Sequence, residues 1–204
     1  MDSFIQLTAT AAPLGASNID TDVIMPKAFL KRIDKEGVLE GLFHDLRLRE
    51  DGSENPDFVL NQAPFRTAKI LVTGPNFGCG SSREHAVWGL KERGIRVLIG
   101  SSFAGIFFDN CTNNALAAIV LTEEEVRQII CALNSSESKQ MTVDLQKQTV
   151  TDSLGRLYRF EIEPVRKERL LKGLDTVEQT LQDANKIRVF EENYYQQFPW
   201  LRPE

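Results

Sequence analysis

The chain has 204 residues, 42% of them hydrophobic and 26% charged, with a formal net charge of −5. That composition suits a globular protein with one sizeable core, and an acidic balance lacking any Lys/Arg block argues against a nucleic-acid or anionic-membrane partner. No apolar run approaches a membrane span, and Met1-Asp2-Ser3-Phe4 has neither basic nor apolar leader character, so a cytoplasmic location is expected.

Along the chain, Phe4 to Thr10 alternates as a first strand that Pro13-Leu-Gly-Ala16 should break. Asp20-Thr21-Asp22 reads as an Asx-type turn, and Pro26 to Arg32 as a short helix with Pro26 at its first position. Residues 49 to 57 are polar and rich in turn formers, a solvated loop. Lys69 to Gly74 is a β-branched run bounded by Gly74-Pro75, hence a buried strand. A helix should open near Ser82 and stop at Gly94. Arg96 to Gly100 and Ala117 to Leu121 are further strands, with Ser102 to Asn110 helical between them. Thr122-Glu-Glu-Glu125 starts another helix, its acids set against the positive end of the dipole.

This alternation of strand and helix predicts parallel pairing. Met141 to Leu145, Thr149 to Thr151 and Leu157 to Ile162 instead form short runs joined by turns, as in an antiparallel meander. The expected class is therefore α/β with a mixed sheet, over residues 1–164. Residues 165–204 form a C-terminal helical extension in segments 165–173, 176–183 and 184–197, expected to pack on that domain. Ile187, Phe190 and Tyr194 share one side of the last segment, a stripe suited to the parent domain or a partner protein.

The most informative stretch is Asn76-Phe-Gly-Cys-Gly-Ser-Ser-Arg-Glu-His-Ala86. A helix beginning there leaves unpaired N–H groups and a positive dipole end, which suit a carboxylate or phosphate, and Gly78 and Gly80 let backbone approach a ligand. Arg83 stands where a dinucleotide fingerprint has its third glycine, and no Lys follows Gly80 as a Walker A loop requires. A nucleophile elbow would also need glycine at 83, although Ser81 and His85 lie four residues apart. The plainest alternative is a glycine-rich turn with Ser82 as N-cap. Cys79, Cys111 and Cys131 are odd in number and lack any Cys-x-x-Cys spacing, so neither a disulfide framework nor a metal site is expected. Only two histidines, His44 and His85, are available. Cys111 and Cys131 read as small core residues.

At these residues the chain resembles the small subunit of isopropylmalate isomerase (3-isopropylmalate dehydratase) and, more distantly, the swivelling fourth domain of aconitase. The resemblance is carried by Gly78-Cys-Gly-Ser-Ser-Arg-Glu-His85 and by Asn18-Ile-Asp-Thr-Asp22 with Val23-Ile-Met-Pro26 and Phe29-Leu30. Asn55-Pro-Asp-Phe-Val-Leu60, Ser102-Phe-Ala104 with Ile106-Phe107, and Asn113-Asn114 extend it. It implies a three-layer β/β/α swivelling domain and a hydro-lyase that moves a hydroxyl between adjacent carbons of a dicarboxylate in leucine biosynthesis. It further implies a 4Fe-4S cluster on a separate large subunit, with no cofactor or metal held by this chain.

By the same resemblance Ser81 is the proton-abstracting base, and Ser82 and Arg83 hold a substrate carboxylate. Asp22 is an active-site carboxylate, Thr21 orients its loop, and Gly78, Gly80, Glu84 and His85 support the loop. Phe29 and Leu30 fall where the family reads the alkyl substituent. Lys31 and Arg32 leave room for a homoaconitase-type substrate with an extra carboxylate, and Arg32 is the better candidate for the carboxylate that all substrates share. A citramalate-type acid and a regulatory RNA-binding role are the remaining alternatives.

Overall fold

The computed structural model describes residues 3–31, 35–81 and 83–203. In chain order its elements are β1 (Gln6–Leu14), α1 (Thr21–Ile24), α2 (Lys35–Gly41), α3 (His44–Arg47), β2 (Ile70–Thr73), α4 (Glu84–Glu92), β3 (Val97–Gly100) and α5 (Gly105–Asn113). There follow β4 (Ala117–Val120), α6 (Glu123–Ser135), β5 (Gln140–Asp144), β6 (Thr149–Thr151), β7 (Leu157–Arg159), α7 (Pro164–Lys172), α8 (Thr176–Leu181) and α9 (Ala184–Gln197). None of the described helices is long and apolar enough to cross a membrane.

The strands form one mixed sheet in the order β4-β3-β2-β1-β5-β6-β7. β1 joins its two halves: Gln6 to Thr10 pair antiparallel with β5, and Ala11 to Leu14 pair parallel with β2. The strand thus continues through Pro13, where the sequence predicts a break. The Ala11 N–H donates to Lys139 on the β5 side, and residue 13 faces the same way, beyond the point where β5 begins opposite Thr10. Proline's missing N–H therefore costs no ladder bond.

Two apolar clusters sandwich the parallel strands. Leu71 and Leu98 face one cluster with Ala86, Val87 and Leu90 of α4 and Phe107 and Cys111 of α5. Ile70, Val72, Val97 and Ile99 face the other, which Val143, Val150, Tyr158 and Phe160 close from the antiparallel half, so the sheet curls over its own second core. Helices, parallel strands and antiparallel strands make the three layers. Every residue of β2 and β3 is buried, each apolar side chain adding about 1.5–3 kcal/mol.

α6 opens at a Thr122/Glu125 capping box and buries Val126, Ile129 and Leu133 in the second core. Cys111 is buried, which pushes its thiol pKa up. Cys131 is exposed, against the expectation of a core residue, because it lies on the solvent side of α6. α7 is clamped to α5: Arg166 donates to Thr112 and lies over the Phe108 ring, and Arg169 donates to Asn113 at 2.9 Å. α9 buries no residue, and Phe190, Tyr194, Phe198 and Trp200 form a run of ring contacts along the surface.

The β6–β7 turn is organised by Asp152, whose carboxylate accepts from the Leu154 and Arg156 N–H groups, Arg156 Nε and the Tyr158 hydroxyl. Burial pushes its pKa up, but those donors outweigh burial and hold it below the ordinary carboxylate value. Burial and the Asp152 contact push Tyr158 up to about 12. Asp152→Ala should cost about 2–3 kcal/mol in urea unfolding near neutral pH, since it strands the buried Tyr158 donor. A folded-state pKa below the unfolded one stabilises above the ordinary carboxylate range and fades as pH falls through the lower value. The wild-type advantage over Asp152→Ala should therefore shrink in acid; a pH-independent difference would show that the carboxylate is not ionised in the fold.

Candidate functional site

Because β1 and β2 are adjacent and parallel, their carboxyl ends lie side by side, with Leu14 opposite Thr73. Both loops implicated by the sequence leave the sheet at this edge, where open α/β sheets bind ligands. They zip together: Asn18 N donates to Pro75 O, Gly78 N to Ile19 O and Thr21 N to Cys79 O. The Asn76 side chain donates to Asn18 Oδ1 at 2.8 Å, and the Asn76 N–H donates to Ser102 Oγ, which ties in the loop after β3. Asn18, Asn76 and Ser102 have no place in the chemistry expected from sequence; their signal is the tolerance of asparagine for positive φ, which Asn18 and Asn76 both adopt.

Asp20 caps α1 by accepting from Val23 N–H at 2.8 Å, so the Asp20-Thr-Asp22 segment is a helix N-terminus. Pro26 is the cap of a one-turn 3₁₀ segment, Lys27–Phe29, outside it by one position. Asp22 projects toward the second loop. Its carboxylate pairs with Arg83 Nη1, and Lys27 Nζ lies 3.7 Å from its other oxygen. Arg83 Nη2 reaches Ser81 Oγ at 3.4 Å, and Thr21 Oγ1 donates to the Ser81 carbonyl at 2.8 Å. Thr21, Asp22, Ser81 and Arg83 therefore converge, with Lys27 as a cation that sequence reasoning missed. Ser81 is exposed while the Arg83 side chain is only 15% exposed, so the hydroxyl stands on an open ledge backed by a guanidinium.

The helix expected to open at Ser82 is α4, which opens at Glu84 after an extended Arg83 cap (φ −116°, ψ 116°). Ser82 and Arg32 lie outside the described residues. Glu84 accepts from Asn114 at 2.7 Å, tying the mouth of α4 to the end of α5. His85 packs its ring on Trp88, and its Nε2 is buried without a hydrogen-bond partner among the described residues. Ser81 and His85 do not form a nucleophile–base pair, because Ser81 precedes the helix. Phe29 and Leu30 are partly buried against the first core at the end of the 3₁₀ turn.

Gly78 and Gly80 both hold positive φ, at +75° and +90°, but for different reasons. A Cβ on Gly80 would meet only ordinary contacts, whereas one on Gly78 would lie 2.2 Å from Cγ of Phe107. The first glycine thus serves packing against α5. Gly78→Ala should lower stability by about 2–4 kcal/mol from strain and overpacking together. Urea unfolding checks this, and a loss below about 0.5 kcal/mol, the range of neutral surface changes, would show that the loop relaxes freely.

The cysteines occupy separate parts of the fold, and among the described residues no three His, Cys, Asp or Glu side chains are grouped to hold a metal ion. These donors do not suit an iron–sulfur cluster.

Comparison with known proteins shows the family to which these loops belong. Residues 1–124 match the family model of the aconitase C-terminal domain, 132–164 match LeuD_N, and 179–204 match the C-terminal domain of the 3-isopropylmalate dehydratase small subunit. The 3-isopropylmalate dehydratase small subunit 1 of Mannheimia succiniciproducens is 50% identical over 202 residues, covering 99% of this chain and 100% of its own. The small subunit of Phenylobacterium zucineum is 49% identical, covering 98% of both chains. A crystal structure of 3-isopropylmalate dehydratase (leuD) from Methanocaldococcus jannaschii superposes with a TM-score of 0.65 at 24% identity, over 92% of this chain and 99% of that one, which speaks for the fold. With relatives this similar along nearly all its length, the chain belongs to the 3-isopropylmalate dehydratase small-subunit family.

Proposed function

We propose that this chain is the small subunit of a 3-isopropylmalate dehydratase, a hydro-lyase that interconverts 2- and 3-isopropylmalate through isopropylmaleate in leucine biosynthesis, and that it works with a large subunit. The observation that carries the reading is the convergence of Arg83, Asp22 and the buried Thr21 on the exposed Ser81, in a chain 50% identical to such a protein from end to end. Half a site on an open surface calls for a second polypeptide to close it.

Ser81 Oγ, as an alkoxide, takes the proton from the carbon alpha to a carboxylate; the C–H electrons form the double bond as hydroxide leaves the neighbouring carbon. A serine side chain is a poor base unless its anion is stabilised, each pKa unit of depression requiring about 1.4 kcal/mol. The Arg83 guanidinium and the positive end of the α4 dipole supply that preference once water is excluded. Arg83, with its planar fork, also holds a substrate carboxylate; Ser82 and Arg32 assist, and Asp22 keeps the fork oriented. Phe29 and Leu30 form the apolar wall for the isopropyl group. The cluster that we assign to the large subunit supplies a Lewis acid for the departing hydroxide.

Reconstitution tests the reading. The purified chain should be inactive alone and acquire isopropylmalate dehydration when the large subunit is added. Turnover by the isolated chain would refute it, and a preference of the pair for homoaconitate would overturn the substrate.

A further inference from the structure

The segment that bears Phe29 is held from behind by the α2–α3 junction, Gly41-Leu42-Phe43-His44. Three observations show this. Phe43, buried and with left-handed backbone at φ +49°, donates its N–H to Ile24 O at 2.8 Å, hooking the junction to the end of α1. The His44 imidazole lies against the Phe29 ring, with centroids 4.8 Å apart and planes tilted by 41°. Gly41 abuts the root of the same side chain: a Cβ there would come 2.7 Å from Phe29 Cβ and Cγ and 2.6 Å from Met25 Sδ.

Met25 has little room to yield, so the displacement falls on Phe29. Met25 is fully buried, and a Cβ on Gly89 of α4 would come within 2.7 Å of its Cε, so both α2 and α4 press on it. Phe29 Cβ moves only with the backbone of the 3₁₀ turn, whose Lys27 reaches back to Asp22 of the site, whereas Cγ and the ring can rotate about Cα–Cβ. A methyl at position 41 must therefore displace the Phe29 ring, and loss of the His44 ring removes a contact that holds it in place.

From this geometry we propose that Gly41 and His44 are positioning residues that set the depth of the alkyl pocket, and so the preference for a malate bearing a branched substituent over one bearing a smaller group. The proposal rests on the reading of Phe29 as the alkyl wall. It concerns ground-state fit to a side group remote from the reacting carbons, so the effect belongs in KM and in the ratio between substrates.

The test uses the complex with the large subunit, assayed with 3-isopropylmalate and with 3-methylmalate. Gly41→Ala and His44→Ala should each raise KM for the isopropyl substrate about tenfold, with kcat within about threefold and the methyl substrate nearly unaffected. His44→Phe, which keeps a ring against Phe29, should restore the wild-type ratio. His44 is about one-third exposed, so its variants leave the core intact and decide the matter without the Gly41 variant. Equal losses on both substrates, or no rescue by His44→Phe, would overturn the positioning role. Phe29→Ala separates the two levels. If it leaves the isopropyl-to-methyl ratio unchanged, the wall reading itself fails. If it collapses the ratio while the His44 and Gly41 variants do not, only the positioning inference falls.

Discussion

Ser81→Ala, assayed in the complex with the large subunit, is expected to lower kcat by about 10³-fold or more, the scale of a lost general base with its electrostatic support. The exposed Ser81 hydroxyl contacts Arg83 alone among the described residues, and the Thr21 bond is to the Ser81 carbonyl, which alanine keeps. Folding stability should therefore stay within about 0.5 kcal/mol, and assembly with the large subunit should persist. Activity within tenfold of wild type would show that the proton is taken by another group, and loss of assembly would show that the variant reports on docking instead.

Arg83→Lys should raise KM at least about tenfold and lower kcat by about 10²-fold, because a point charge cannot reproduce a planar fork that holds one carboxylate while touching a hydroxyl. In the chain without substrate that fork spans Asp22 and Ser81, and its side chain is mostly buried, so a shorter ammonium would leave one of them unpaired. The paired loss in KM and kcat is the signature. A rise in KM with unchanged kcat would confine Arg83 to substrate binding, and near-normal values for both would remove the clamp.

Much of the architecture was legible in the residues themselves. The β-branched run ending at Thr73, the strand at Val97 and the Thr122/Glu125 cap are local signals that tertiary packing reinforces, so their elements appear within two residues of expectation. The errors have specific causes. Pro13 sits inside β1 because its hydrogen-bonding side lies beyond the end of β5, a fact of sheet order. α4 opens two residues late because Arg83 stays extended to meet Asp22. α2 and α3 carry too few turns for a periodic signal, and Cys131 reads as a core residue until the face of α6 that meets the sheet is known.

The residues in their order specify the chemistry on offer: a hydroxyl and a guanidinium at a helix mouth, an acidic loop upstream, alternating elements that must pair in parallel, and a likeness to one enzyme family. Which of these groups meet depends on how the chain folds. Asp22 and Arg83 are 61 residues apart and become partners because β1 and β2 are neighbours running the same way, which brings their carboxyl ends together. Gly78 is required by the Phe107 ring of α5, and Phe29 is framed by Gly41 and His44. Local patterns encode periodicity, whereas contacts of this kind depend on strand order and close packing, which no short stretch of chain contains.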